Sequence, residues 1–435
     1  MKKIWILLLL LLSLACLFCA CDENNTPNED NTPNEDDTPA HTHVWGEWSV
    51  TVTPTCTTEG SHRRVCSGCP ASEIEVIPAA HTYDAENTCA NCFHYKDEGV
   101  VFTLQGETYI ITDYTGDAAE VTIPSKYKGT AVTAIEMDAF KNCISLTSIT
   151  IPNSVTNIGH YAFDGCSGLE RVTFGENSQL AFIGWWAFHD CSRLASITIP
   201  SGVIGISNNV FSGCSGLESI TVESGNTVYH SEGNCLIETA SKACMFGCKN
   251  SVIPTDGSVT SIKEGAFDAC SGLTSITIPS SVTSIGEAAF SGCSGLESII
   301  VDSGNMTYHS AGNCLIETAS KMLILGCKNS IIPTDGCVTN IASRAFFDCN
   351  ELVSITIPAG VESIGSYAFS GCKGLVSITI PLSVTRFDWC ALSHCSNLES
   401  IKFSGTEEQW NAITKIFTWN EYTGDYTITY NYTGE

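Results

Sequence analysis

Basic side chains are scarce in this 435-residue sequence: 20 Lys and Arg stand against 47 Asp and Glu, for a formal net charge of −27. A polyanion of this size is repelled by nucleic-acid phosphates and by anionic lipid head groups. We therefore expect no binding to nucleic acid. Beyond residue 20 the sequence also lacks any apolar run near the ~18 residues of a spanning helix, so we expect no transmembrane helix in the mature chain.

The N-terminus has the pattern of an export signal. Met1-Lys2-Lys3 is basic and residues 4–20 are almost wholly apolar, so we assign residues 1–20 to a lipoprotein signal peptide. Phe18-Cys19-Ala20-Cys21 resembles a bacterial lipobox, which implies a lipid anchor on Cys21 as the only membrane attachment. The resemblance predicts an exported lipoprotein anchored to the bacterial cell envelope and exposed at the surface.

Residues 21–40 have the composition of an acidic stalk. An imperfect NTPNED repeat carries acidic side chains and prolines but no basic or aromatic residue. Such a segment cannot bury a core, and like charges with regularly spaced prolines keep it extended. We predict a disordered stalk that holds the following domains away from the membrane.

Residues 41–99 form a small module rich in cysteine and histidine. Cys66-x2-Cys69 and Cys89-x2-Cys92 lie 19 residues apart, a spacing typical of a four-thiolate zinc site. In an exported protein the same cysteines could instead form disulfides. With Cys56 the module has an odd number of cysteines, so a metal site that includes Cys56 and a histidine is a third interpretation. We therefore predict either a structural zinc or disulfides here, and no other cofactor.

Beyond residue 100 a repeat dominates the sequence. One copy reads Ala139-Phe140-x2-Cys143-x2-Leu146-x2-Ile149-x-Ile151-Pro152, and the same pattern recurs most often every 23 to 25 residues. No single copy can bury its own apolar side chains, so neighbouring copies must stack. We predict a mainly β repeat solenoid with short helical turns over residues 119–404, in about twelve coils of 23 to 31 residues. Residues 100–118 and 405–435 would be its N-terminal and C-terminal caps.

The cysteines of the array share one position in the repeat. Stacking should place them in a buried column, where a thiol acts as a small apolar group. The nine are Cys143, Cys166, Cys191, Cys214, Cys270, Cys293, Cys349, Cys372 and Cys395. Two longer copies replace the Ala-Phe-x2-Cys turn with Gly233-Asn-Cys-Leu-Ile-Glu238 and Gly312-Asn-Cys-Leu-Ile-Glu317. We interpret these as hairpin-like protrusions.

The coils resemble the BspA-type leucine-rich repeat family of bacterial surface proteins, in motifs such as Phe369-x2-Cys372-x2-Leu375-x2-Ile378-x-Ile380-Pro381. This resemblance implies a right-handed solenoid that binds an extracellular protein or glycan on host matrix, host cells or other bacteria. The alternative is a structural envelope component or spacer with no dedicated ligand.

We find no catalytic motif and do not expect an enzyme. Ser and Thr recur on the outward face of the strands, where a solvated surface and a binding surface are both compatible with the pattern. Irregular aromatic and arginine side chains are better candidates, since exposed residues of these types anchor interfaces. The candidates are Arg171, Trp185, Trp186, Tyr229, Tyr308 and Trp389.

Overall fold

The computed structural model describes residues 42–56, 58–79, 81, 83–84, 89, 96 and 99–434. The predicted signal peptide, the lipid-modified Cys21, the stalk and Cys92 lie outside these residues. The chain divides into two compact units, the first among residues up to 82 and the second containing the repeat array.

The first unit contains a three-stranded antiparallel sheet. Its strands are Ser49–Val52, Gly60–Val65 and Ser72–Ile77, with Gly60–Val65 in the centre. The sheet carries charged pairs on its surface: Arg64 contacts the Glu73 carboxylate, and His62 lies 2.8 Å from the Glu75 carboxylate. Few of its apolar side chains are buried, so apolar burial alone contributes little to the stability of this sheet.

The array is built from two columns of parallel strands. The first column, which we call the Ser/Thr column, consists of strands such as Ser148–Ile151 and Ser196–Ile199. Their Ile side chains point into the core and their Ser and Thr side chains point out. Each strand pairs in register with a neighbouring strand, most often 23 residues away, so that Ile149 lies beside Val172. The strands of this column are Glu120–Thr122, Ser148–Ile151, Arg171–Phe174, Ser196–Ile199, Ser219–Val222, Ser275–Ile278, Ser298–Val301, Ser354–Thr356, Ser377–Ile380, Ser400–Phe403 and Thr427–Thr429.

The second column, which we call the turn column, contains shorter strands of the Val-Thr-x-Ile segment. At its start lies the antiparallel hairpin of Val100–Gln105 and Thr108–Tyr114, within the residues 100–118 expected to form the N-terminal cap. The parallel strands that follow are Thr130–Ile135, with Lys126–Tyr127 folded against it, then Asn157–Ile158, Phe182–Ile183, Gly205–Ile206, Ser261–Ile262, Ser284–Ile285, Asn340–Ile341, Ser363–Ile364, Arg386–Phe387 and Thr414–Lys415.

Tight turns join the two columns. The Ala-Phe-x2-Cys segment, expected to be a helical turn, forms successive hydrogen-bonded turns in which Cys143 N–H donates to the Phe140 carbonyl at 3.2 Å. The α-helix among the described residues is Glu407–Ala412, which begins with a Thr406–Gln409 capping box and buries Trp410 against the last coils. Side chains from successive turns stack in the core: the rings of Phe140, Phe163 and Phe188 are separated by 5.1 Å at each step. The mainly β solenoid predicted from the repeat is confirmed.

The predicted thiol column is also confirmed. Eight of its nine members are buried and Cys143, the first, is half-buried. The thiols of six members donate a hydrogen bond to the Phe carbonyl of the preceding turn, as Cys166 does to Phe140 at 2.9 Å and Cys372 to Phe346 at 3.0 Å. All nine are free thiols. The column therefore contributes packing and weak hydrogen bonds to the core.

The two longer copies form antiparallel hairpins, as predicted. The first consists of Tyr229–Glu232, Cys235–Glu238 and Ala243–Phe246, and its copy of Tyr308–Ala311, Cys314–Glu317 and Met322–Leu325. Their central strands are buried, so they belong to the core and do not protrude as the sequence suggested. Each hairpin interrupts the turn column, whose sheets end at Gly205–Ile206 and Ser284–Ile285. Within the described part of the chain, no helix has the length and apolarity for crossing a membrane.

Candidate functional site

An open groove with mixed polar and apolar walls runs across three consecutive strands of the turn column. It has a volume of about 440 Å³ and is lined by Met137, His160 and Phe182 among others. Phe182 is 51% exposed although it is part of a strand. Its ring lies over the next strand because that strand has Gly205, whose missing Cβ would lie 2.5 Å from the Phe182 ring. Glycine at this register therefore shapes the groove.

Trp185 lies beside this groove and is 56% exposed. Its backbone N–H donates to His160 Nδ1 at 2.8 Å, and the two rings are 5.5 Å apart. A neutral imidazole that accepts at Nδ1 carries its hydrogen on Nε2, so His160 also offers a hydrogen-bond donor. We call the groove together with Trp185 the aromatic groove.

Two further aromatic side chains continue this surface. Tyr161 and Trp186 occupy the same repeat position in adjacent coils, are half-buried and stack with their rings 6.2 Å apart. Both have left-handed backbone conformations, with φ of 57° and 60°. Other coils place Asn209, Gly265, Ala288, Arg344 or Tyr367 at this position, all with positive φ, so the left-handed backbone belongs to the repeat. Trp185 and Trp186 are thus both at the surface, and neither belongs to the core.

A charged network underlies the two stacked rings. His189 Nδ1 lies 2.6 Å from the Asp164 carboxylate, and Lys141 Nζ lies 3.1 Å from the other oxygen of the same group. Lys141 also lies 5.0 Å from the centre of the Tyr161 ring. The ring of Trp186 meets His189 edge-on at 4.3 Å. The network orients the aromatic side chains and adds polar groups beside them.

On its other side Trp186 borders a second groove of about 230 Å³, which also includes Asp268 and Arg344. The first long copy lacks the Ala-Phe-x2-Cys turn, so the turn that contains Ser212 lies directly against the turn that contains Asp268. The second groove is at this junction. Ser212 donates to the Asp268 carboxylate, while burial raises the pKa of that carboxyl. A contiguous surface thus extends from Met137 past Trp186.

Two other predicted candidates are exposed but lie elsewhere. Trp389 has the same repeat position as Trp185 and the same exposed fraction, 56%. In the next coil its register neighbour is Phe417, which is also exposed. Arg171 is exposed at the start of a strand in the Ser/Thr column, beside Ser148. The structure therefore does not bring Arg171 or Trp389 to the aromatic groove.

The expectation that Tyr229 and Tyr308 are exposed is wrong. Each is only 4% exposed. The Tyr229 hydroxyl accepts the Ile206 N–H at 3.1 Å, and the Tyr308 hydroxyl accepts the Ile285 N–H at 3.0 Å. Ile206 and Ile285 belong to the last strands before each break in the turn column, where the ladder supplies no next strand. The tyrosines satisfy these edge donors and have a structural role.

In the first unit, Cys66 and Cys69 meet a histidine. One donor atom from each of His43, Cys66 and Cys69 lies within 4.8 Å of the other two. The four-thiolate set expected from spacing omitted His43, which lies far upstream in sequence. Of its other two members, Cys89 is buried and bridges to the Tyr83 backbone, and Cys92 lies outside the described residues.

Comparison with known proteins agrees with this architecture. The family model for the BspA type leucine rich repeat region matches in six copies, over residues 133–253, 238–316 and 324–418. No curated protein matches the chain.

Solved structures of bacterial repeat proteins are similar. A leucine rich cell surface protein from Faecalibacterium prausnitzii A2-165 is 30% identical, covering 74% of this chain and 97% of that chain, with a TM-score of 0.45. The pneumococcal vaccine antigen PcpA is 18% identical, over 78% and 88%, with a TM-score of 0.42. A leucine-rich repeat protein from Eubacterium ventriosum ATCC 27560 is 19% identical, over 78% and 95%, with a TM-score of 0.43.

Proposed function

Because this chain belongs to the BspA-type leucine-rich repeat family, we propose that it is a bacterial surface protein that binds an extracellular protein without catalysis, through the aromatic groove. The observation that carries the proposal is the exposure of Phe182, in a strand of the turn column, and of Trp185, in the turn that follows that strand, beside a groove of about 440 Å³. Large exposed aromatic side chains that adjoin a concave surface are favoured anchors of protein interfaces.

The stacked rings of Tyr161 and Trp186 extend this surface. Their left-handed backbone is common to the repeat, since Ala288, Arg344 and Tyr367 have it at the same position in other coils. The fold therefore does not require an aromatic residue at this position. Because the two rings are half-buried and stack 6.2 Å apart beside Trp185, we include Tyr161 and Trp186 in the proposed interface.

Replacing Trp185 by Ser is expected to weaken binding by about 30-fold or more, since the loss of an interface anchor costs about 2 kcal/mol. Phe182→Ser should have a similar effect. Trp389→Ser is the matched control, because Trp389 has the same repeat position and the same 56% exposure. A partner is first captured from matrix proteins, mucins and whole bacteria with the lipid-free chain, and the Kd of each variant is then measured.

Two results would contradict the proposal. If Trp389→Ser abolishes binding and Trp185→Ser does not, the interface lies near the C-terminal end of the array. If wild type binds every surface equally weakly, the protein is a spacer with no dedicated ligand. Capture of a purified glycan, with retention lost on Trp185→Ser, would keep the site and change the class of partner.

The proposal includes a lipid anchor on Cys21, which rests on the sequence of the N-terminus. Cys21→Ala is expected to move the protein from the membrane fraction to the soluble fraction, because acyl chains would be its membrane attachment. Fractionation of cells that express each form, followed by immunoblotting, measures this. Ala15→Val, upstream of the lipobox, serves as the control and should leave the protein in the membrane. Membrane retention of Cys21→Ala would disprove the anchor.

A further inference from the structure

A cluster of metal-ligating side chains lies in the first compact unit. His43 Nδ1 lies 3.3 Å from the sulfur of Cys69, and one donor from each of His43, Cys66 and Cys69 lies within 4.8 Å of the others. When Zn–S is about 2.3 Å and Zn–N about 2.0 Å, neighbouring donors of a tetrahedral site are about 3.6 Å apart. We propose that these three side chains hold a structural zinc ion.

Backbone hydrogen bonds bring the three donors together. The segment that carries His43 attaches to the end of strand Gly60–Val65: Gly46 N–H donates to the Val65 carbonyl, and Ser67 N–H to the Val44 carbonyl, both at 2.9 Å. Cys66 N–H donates to the Ala71 carbonyl at 2.9 Å and closes the loop that carries Cys69. The donors therefore converge because the backbone places them there, and not through one rotamer of a mobile side chain.

The surroundings suit a metal–thiolate site. Gly68 N–H lies 3.4 Å from the sulfur of Cys66, and a backbone N–H directed at a ligating sulfur is an outer contact typical of metal–thiolate sites. The ring of His43 stacks on Trp45 at 5.0 Å, and Trp45 in turn lies 5.2 Å from the Arg64 guanidinium. Outer contacts of this kind orient the ligands of metal sites.

The donor types select the metal. Two sulfurs and an imidazole nitrogen match zinc, whereas calcium and magnesium take oxygen ligands. Among the described residues the cluster supplies three donors, and tetrahedral zinc takes a fourth from elsewhere in the chain or from water. The ion would join the N-terminal segment of the unit to the loop of residues 66–71. A small sheet with few buried apolar side chains gains stability from such a link.

The test uses the whole chain without its signal peptide, dialysed against zinc. Elemental analysis and native mass spectrometry are expected to show one more zinc per chain in wild type than in Cys66→Ser/Cys69→Ser. His43→Ala should weaken zinc binding more than about 100-fold in competition with a chelator, because loss of even an outer partner costs about 10–100-fold. His62→Ala is the matched control, because His62 lies in the same sheet but contacts Glu75 and Trp48. The zinc content of the His62→Ala protein should equal that of wild type.

A second measurement does not depend on whether the variants fold. Cobalt added to the metal-free wild-type chain is expected to give a thiolate-to-cobalt charge-transfer band, and zinc should displace it. Absence of that band would overturn the proposal. Equal zinc content in wild type and Cys66→Ser/Cys69→Ser would also overturn it, as would a non-reduced peptide map in which Cys66 and Cys69 form a disulfide.

Discussion

Raising the pH from about 8.5 to about 10 in the presence of a reductant is expected to unfold the repeat array. Seven thiols of the column have pKa values raised by burial, with Cys270, Cys349 and Cys395 each raised to about 12. The other four pKa values are raised for the same reason, at Cys191, Cys214, Cys293 and Cys372. The core keeps these thiols neutral at a pH where an exposed thiol ionises.

The sign of the effect follows from proton binding. An unfolded cysteine has a pKa of about 8.5, so above that pH the unfolded chain loses protons that the folded chain retains. Each raised thiol contributes stability that is fully present below about pH 8.5 and is lost as the pH approaches its folded pKa. The loss is about 1.4 kcal/mol per pH unit for each thiol. Seven thiols together lose on the order of 10 kcal/mol per unit, which is comparable with the whole stability of a domain.

Circular dichroism and urea unfolding at fixed pH values between 7 and 10 measure this loss; tyrosine, with a pKa of about 10, ionises only at the upper end of this range. Cys270→Val/Cys293→Val is the informative variant, because it removes two titrating groups and should shift the alkaline transition to higher pH. In the native protein at neutral pH, the half-buried array thiols Cys143, Cys337 and Cys390 should alkylate before the buried members of the column, which should react only after denaturation. A stability that stays constant up to pH 10 would contradict the burial of the thiol column.

The repeat and its core could be predicted because the apolar pattern of each coil lies within one short stretch of consecutive residues. The alternation around Ile149 and the spacing of Phe140 from Cys143 need no knowledge of distant parts of the chain. Stacking then follows from the period alone, which is why the column of Cys166 and its equivalents was predictable in register as well as in burial.

The sites were harder to predict because they depend on contacts between distant residues. Spacing paired Cys66 and Cys69 with other cysteines, whereas the backbone bridge of Trp45 to Cys66 brings His43. Tyr229 resembled an exposed anchor because a hairpin sequence does not show which face meets the core. Phe182 did leave a signal: other coils have a small polar residue at its position, such as Asn157 or Ser284. A large aromatic there indicates a departure from the needs of the fold.

Asn226→Ala is expected to lower the free energy of unfolding by about 2–4 kcal/mol, which makes this side chain the main support of the junction at the first long copy. Its Nδ2 donates to the carbonyls of Pro200 and Val203 at 3.1 and 2.9 Å, and its Oδ1 accepts the N–H groups of Val228 and Tyr229 at 2.9 and 2.8 Å. The two Nδ2 bonds join this coil to the preceding one, and the two Oδ1 bonds hold the turn that leads into the hairpin. An alanine leaves these backbone groups without partners, and each such buried group costs about 1–3 kcal/mol before water or relaxation compensates.

The duplicated copy supplies an internal replicate. Asn305 makes the same four bonds, to Pro279, Val282, Thr307 and Tyr308, so Asn305→Ala should cost the same amount. The two changes lie in different junctions and should add in the double variant. Ser383→Ala is the graded control, since Ser383 makes two bonds, donating to the Val361 carbonyl at 2.8 Å and accepting the exposed Gly360 N–H at 3.0 Å, and its loss should cost only about 1 kcal/mol. Urea unfolding of the three single variants and of the double variant measures each loss of free energy of unfolding. If Asn226→Ala costs no more than Ser383→Ala, the junction is held by packing of Tyr229 and its neighbours, and the four hydrogen bonds are incidental.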